Sequence, residues 1–178
     1  MTKVKNSYWE NIFENTGKIQ IKHSVILKKV PMFSDLKKSE IREFERIIHQ
    51  RQYKDEEVVF YEGEPGLGMY MIQTGAITVF KDYNSKKKEE LATLQSGDFC
   101  GEMALLDESP RSATAVASGD LTLLGLFRPD LFNLMERKPR LGNKILLRLS
   151  QMIAERLRHS NVELQNLKQK LEKAEILK

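Results

Sequence analysis

The chain has 178 residues, room for one well-packed domain plus an appendage. Its 29 basic and 25 acidic side chains leave it mildly positive, and its single cysteine excludes an intramolecular disulfide and fits a reducing compartment. No apolar run approaches the length of a membrane span, and the polar start Met1–Asn6 has no apolar stretch behind it, so no membrane association and no secretory leader are expected and the location is expected to be cytoplasmic.

Residues 7–50 read mainly as helix. Tyr8, Trp9, Ile12 and Phe13 share one helical face, as do Ile41, Phe44, Ile47 and Ile48, with Ser39 as N-cap and Glu40 in the first turn. From Arg51 to Phe127 the texture changes to short β-rich runs: Val58–Tyr61, Met69–Ile72, Ala76–Phe80, Leu91–Leu94, Thr114–Ala117 and Leu121–Leu124. Gly63, Gly66, Gly68, Gly75, Gly97, Gly101 and Gly119 punctuate them at turn positions. Many short strands at near-regular spacing predict a barrel or jelly roll. The basic run Lys86–Lys88, followed at once by Glu89 and Glu90, reads as a solvated hairpin tip rather than a nucleic-acid patch.

Within this region the stretch from Gly97 to Thr114 carries the most chemistry. Gly101 and Glu102 open a short apolar turn, and nine residues after the carboxylate comes Arg111, held by Pro110. Gly101 lets the backbone approach a ligand closely, and a helix-like N-terminus offers unpaired N–H groups to a phosphate. Glu102 is acceptor-only when ionised and suits a sugar hydroxyl. Arg111 brings a planar guanidinium that can grip two phosphate oxygens at once. Such an arrangement can hold a small phosphorylated sugar from both sides.

In order and spacing, this run resembles the phosphate-binding cassette of the cyclic nucleotide-binding domain family. Leu27–Leu36 resembles the start of many such domains, and Glu62–Gly75 is a second family-like signature whose expected role is to form tight corners. The resemblance implies that Gly101, Glu102, Met103 and Ala104 hold the sugar and phosphate, that Arg111 makes the phosphate ion pair, and that Ser112 and Ala113 line the pocket. Cys100 departs from the family's usual aromatic or aliphatic residue and is expected to pack.

After Phe127, Pro129 suits the first turn of a short helix whose buried face is Leu131, Phe132, Leu134 and Met135. Pro139 separates it from a long helix running to the C-terminus. There Ser150, Ile153, Leu157, Ser160, Leu164, Leu167, Leu171 and Ala174 alternate at spacings of three and four, a heptad seam that predicts a parallel homodimer. Arg148–Asn161 resembles the dimerisation helix of the catabolite activator protein group, which implies Ser160 and Asn161 as candidate purine contacts. In transcription factors of that group the helix leads into a helix-turn-helix domain; this chain stops at Lys178, so direct sequence-specific DNA binding is not expected.

The expected architecture is α+β, mainly β: a jelly-roll (double-stranded β-helix) barrel with N-terminal helices and a long C-terminal dimerisation helix. Its parts are an N-terminal helical extension at 1–24, a cyclic nucleotide-binding roll at 25–138 and a coiled-coil helix at 139–178. The expected function is a non-enzymatic sensor of a cyclic nucleotide, with cyclic AMP favoured over cyclic GMP, that reports to an unidentified protein partner. The alternatives are a dimeric scaffold with a vestigial pocket and, less favoured, a phosphodiesterase. His23, His49 and His159 are scattered without ligand spacing, so neither a metal nor a cofactor is expected.

Overall fold

Two long antiparallel strands, β3 (Gly68–Lys81) and β6 (Thr114–Phe127), form the spine of the fold in a computed structural model that describes residues 23–176. Each is flanked by two shorter strands. β6 pairs with β2 (Val58–Phe60) along its first half and with β1 (Ile48–Tyr53) along its second. β3 pairs with β5 (Phe99–Cys100) near its start and with β4 (Glu89–Gln95) near its end. All pairings are antiparallel, giving the mainly β roll expected from the sequence.

Strand periodicity divides the apolar residues between two cores. Met69, Met71, Leu124 and Leu126 point to an outer helical layer, while Tyr70, Ile72, Leu121 and Leu123 point into the roll with Val59, Ile77, Cys100, Ala115 and Ala117. The outer layer is α1 (His23–Leu27), a 3-10 turn (Pro31–Phe33), α2 (Lys38–Glu45), α3 (Arg128–Arg137) and the first half of α4 (Pro139–Ile176). Leu141, Ile145 and Leu149 anchor α4 in this same core, against Phe33, Phe44, Leu131 and Leu134. Ion pairs reinforce the seat: Lys144 Nζ lies 3.2 Å from Glu40, and Arg148 Nη2 lies 2.5 Å from Asp35. The hydrogen bond from Arg148 holds the Asp35 carboxyl below its ordinary value.

Beyond Arg156 the helix leaves the roll. Ile153, the second seam position, packs on the chain's own core, whereas Leu157, Leu164, Leu167 and Leu171 are all more than half exposed, so only the later part of the predicted seam lies on a free face. At 38 residues α4 is about 57 Å long. Among the described residues no helix is long and apolar enough to cross a membrane.

Several elements differ from expectation. The helix read through residue 50 ends at Glu45, and Ile48–Tyr53 is a strand whose polar sequence hid it. Lys37, not Ser39, is the N-cap of α2; the Glu40 carboxylate accepts the Lys37 N–H at 2.7 Å and does the capping. Met69–Ile72 and Ala76–Phe80 belong to one strand, as do Thr114–Ala117 and Leu121–Leu124. Gly75, at φ 85°, marks a shift of register inside a continuous ladder rather than a break in it. Phe132 is 41% exposed, lying under the Arg128 guanidinium instead of in the core. Lys86–Lys88 does form the tip between β3 and β4, where Lys88 Nζ sits over Phe80 at 4.0 Å. The Tyr8, Trp9, Ile12 and Phe13 stripe, most of the 1–24 extension, and the Ala174 side chain lie outside the described residues.

Candidate functional site

The segment singled out in the sequence closes one end of the roll. After β5 the chain turns at Gly101, which has φ 75° and leads into a 3-10 turn at Glu102–Leu105. The left-handed backbone alone favours glycine here, and a Cβ at this position would lie 2.3 Å from Arg111 Nη1. Ala104 and Leu105 bury themselves and fix the turn, while Met103 and Leu106 face outward.

Arg111 is 9% exposed. Its Nη1 donates to the Gly101 carbonyl at 3.2 Å and its Nη2 to the Gly68 carbonyl at 2.7 Å, while its Nε has no partner. The guanidinium carbon stands 4.3 Å from the centre of the Phe60 ring. A buried cation without a carboxylate on it, held by carbonyls and an aromatic face, is poised for an anion. The backbone around it is locked as well: Arg111 N donates to the Glu64 carbonyl at 2.8 Å and Gly63 N donates to the Arg111 carbonyl at 2.9 Å. Pro65 and Pro110 bridge beside them. The Glu62–Gly75 signature thus begins as the clamp on the arginine.

Glu102 is buried and is met by a residue the sequence reading missed. Arg156 Nη1 of α4 donates to Glu102 Oε1 at 2.5 Å, and its guanidinium lies 4.6 Å from the centre of the Phe99 ring. Glu102 and Arg111 share a cavity of about 330 Å³, within the usual range of small-molecule sites. Gly101, Met103, Ala104, Ser112 and Ala113 line it, so the turn and the arginine segment face one space. Apolar walls come from Phe60, Val79, Leu94 and Phe99.

Arg156 is the residue of α4 that reaches this cavity; Ser160 and Asn161, about one turn further on, are exposed and do not line it. Cys100 lies in the wall, and burial pushes its thiol up to about 12. Among the described residues no group of three or more His, Cys, Asp or Glu is placed to hold a metal ion. A second, more open hollow between α2 and the α3–α4 turn mixes Glu40 and Glu43 with Arg137 and Arg140 and lacks such convergent donors.

The family model described as cyclic nucleotide-binding domain matches residues 50–138. The cyclic AMP receptor protein of Thermus thermophilus is 35% identical over 138 residues, covering 78% of this chain and 62% of that protein. The crystal structure of a cyclic nucleotide-binding domain from Methylobacillus flagellatus is 33% identical, with a TM-score of 0.68 over 78% of each chain. The regulatory domain of Toxoplasma gondii PKA, crystallised with cyclic AMP, is 26% identical with a TM-score of 0.61, covering 74% of this chain and 48% of that one. The chain spans less than two thirds of the length of the curated relatives it matches.

Proposed function

Since the chain belongs to the cyclic nucleotide-binding domain family, we propose that it is a cyclic AMP sensor whose ligand lies between Glu102 and Arg111. The observation that carries this reading is Arg111: buried, free of any carboxylate, and carrying an unpartnered Nε in the same cavity as a buried acceptor. A 3′,5′-cyclic nucleotide has one anionic phosphate and one free ribose hydroxyl. Arg111 answers the first and Glu102 the second. The backbone of Gly101 to Ala104 closes on the sugar, and Ser112 and Ala113 flank the phosphate and base. Cyclic AMP is favoured over cyclic GMP by the likeness to relatives named for cyclic AMP.

The signal leaves through α4. Glu102 cannot give both oxygens freely to the ribose while Arg156 holds one of them, so ligand and helix compete for one carboxylate. A nucleotide shifts the helix only by binding one arrangement more tightly than the other, and this shared group supplies the difference. The exposed leucine face of α4 pairs with a second copy to make a homodimer, bringing Ser160 and Asn161 toward the purine. The domain division is a roll at 25–138 with a signalling helix at 139–178, and the output passes to a protein partner without catalysis or direct sequence-specific DNA binding.

Titration of site variants tests the reading. Arg111→Ala is expected to weaken cyclic AMP binding by about 2–4 kcal/mol. Glu102→Gln is expected to weaken it less and to erode discrimination against the 2′-deoxy analogue. Unchanged affinity in Arg111→Ala would move the ligand elsewhere.

A further inference from the structure

Three backbone segments that determine where Arg111 points meet at one lysine outside the cavity. The first is the turn at Glu62–Pro65, bonded to Arg111 N and O. The second is the start of β6, where Glu62 N donates to the buried Thr114 Oγ1 at 3.0 Å. The third is the end of β3, where Phe80 is in register with Thr114 and Asp82 N donates to Glu62 Oε2 at 3.1 Å. Lys81 Nζ pairs with the Glu62 carboxylate and also donates at 3.1 Å to the carbonyl of Ser112, the residue immediately after the arginine.

We propose that Lys81 is a positioning residue: through Glu62 and the Ser112 carbonyl it sets the backbone on both sides of Arg111 and so aims the guanidinium at the phosphate. This rests on the placement of the ligand argued above. The contacts of Lys81 exclude two simpler roles. Lys81 does not line the cavity, so it is not itself a phosphate ligand. Nor is it a free surface charge, since it bonds both a carboxylate and a carbonyl from different segments. The pairing raises the Lys81 ammonium and lowers the Glu62 carboxyl from their ordinary values, so both stay charged at neutral pH. The side chains are 44% and 29% exposed, and water therefore limits what the pair contributes. Its effect is on aim more than on stability.

The test titrates the full chain with cyclic AMP and with the two phosphorothioate diastereomers, in which sulfur replaces one or the other non-bridging phosphate oxygen. The ratio of their affinities reads where Arg111 points, which a merely structural residue would not move. Lys81→Met is expected to lower cyclic AMP affinity about three- to five-fold, in proportion to a half-exposed charged pair. It is also expected to shrink the diastereomer ratio, and Lys81→Arg is expected to recover both. Glu62→Gln, which keeps the shape and removes the charge, is expected to move both quantities in the same direction. In an Arg111→Lys background, Lys81→Met is expected to add little, because residues acting through one group are not additive. An unchanged diastereomer ratio in Lys81→Met, or an equal loss in both backgrounds, overturns the inference. Failure of the wild type to bind overturns the site itself, a result distinguishable from either.

Discussion

Glu102 is 6% exposed, and its charge is met by a guanidinium 54 residues away in sequence. Removing one partner of such a pair leaves a buried charge alone, which costs more than the pair contributes. Arg156→Ala should therefore lower the melting temperature of the ligand-free protein. It should also raise affinity for cyclic AMP several-fold, because no bridge then has to yield before the ribose binds. Calorimetry and thermal melts check this; weaker binding would mean that Arg156 holds the nucleotide rather than competing with it. Cys100 provides a second test at this scale. Burial pushes its thiol up from 9.0 to about 12 in the fold, so the unfolded chain loses that proton first as pH rises. Stability should fall between roughly those two values, and a thiol reagent at pH 8 should label the denatured chain much faster than the native one. Equal labelling rates would contradict the burial. Glu102 and Arg111 were readable because one short loop carries both at fixed spacing. Arg156 was not, since nothing in the periodicity of α4 distinguishes an arginine that meets the cassette from one that meets water.

The helical elements show where pattern suffices and where it misleads. Of the apolar face Ile41, Phe44, Ile47 and Ile48, only Ile41 and Phe44 lie on α2, since the helix ends at Glu45 and Ile48 opens β1, whereas the apolar spacing after Pro139 is that of a continuous helix. β1 escaped notice because Ile48–Tyr53 is largely polar at the edge of the sheet, where its outward face meets solvent. Gly75 and Gly119 read as breaks, yet two strands that shift register together keep their ladder through such points. The exposed leucines of α4 carry the dimer prediction. Ending the chain near Arg158 should leave the roll folded, because Leu141, Ile145 and Leu149 remain, and should weaken or abolish the dimer in light scattering. A shortened chain that dimerises as tightly as the full one would place the interface elsewhere. Replacing Ser160 and Asn161 with alanine should reduce nucleotide affinity modestly and blunt any ligand effect on the dimer constant in sedimentation. Coupling between the two events is reciprocal, so an indifferent wild-type dimer would remove both residues from the site.

The molecule as a whole is an antiparallel roll with a helical layer on its outer face, and one helix belongs to both the core and the cavity. Its first half is fixed by Leu141, Ile145, Leu149 and the ion pairs to Asp35 and Glu40. Further along, Arg156 touches the cassette, and beyond that the helix is exposed. That order of a fixed root, a ligand-sensitive middle and a free end suits a lever that reports occupancy of the cavity. A lever of this kind has a signal to report only if the cavity takes a cyclic nucleotide. The most direct measurement is isothermal titration of the unmodified chain with cyclic AMP, cyclic GMP and the ring-opened 5′-monophosphate. Saturable binding of cyclic AMP is expected, with weaker binding of cyclic GMP and little or none of the open nucleotide, whose extra charge and altered sugar do not match one arginine and one buried carboxylate. Absence of cyclic AMP binding, or equal affinity for the open form, would contradict it.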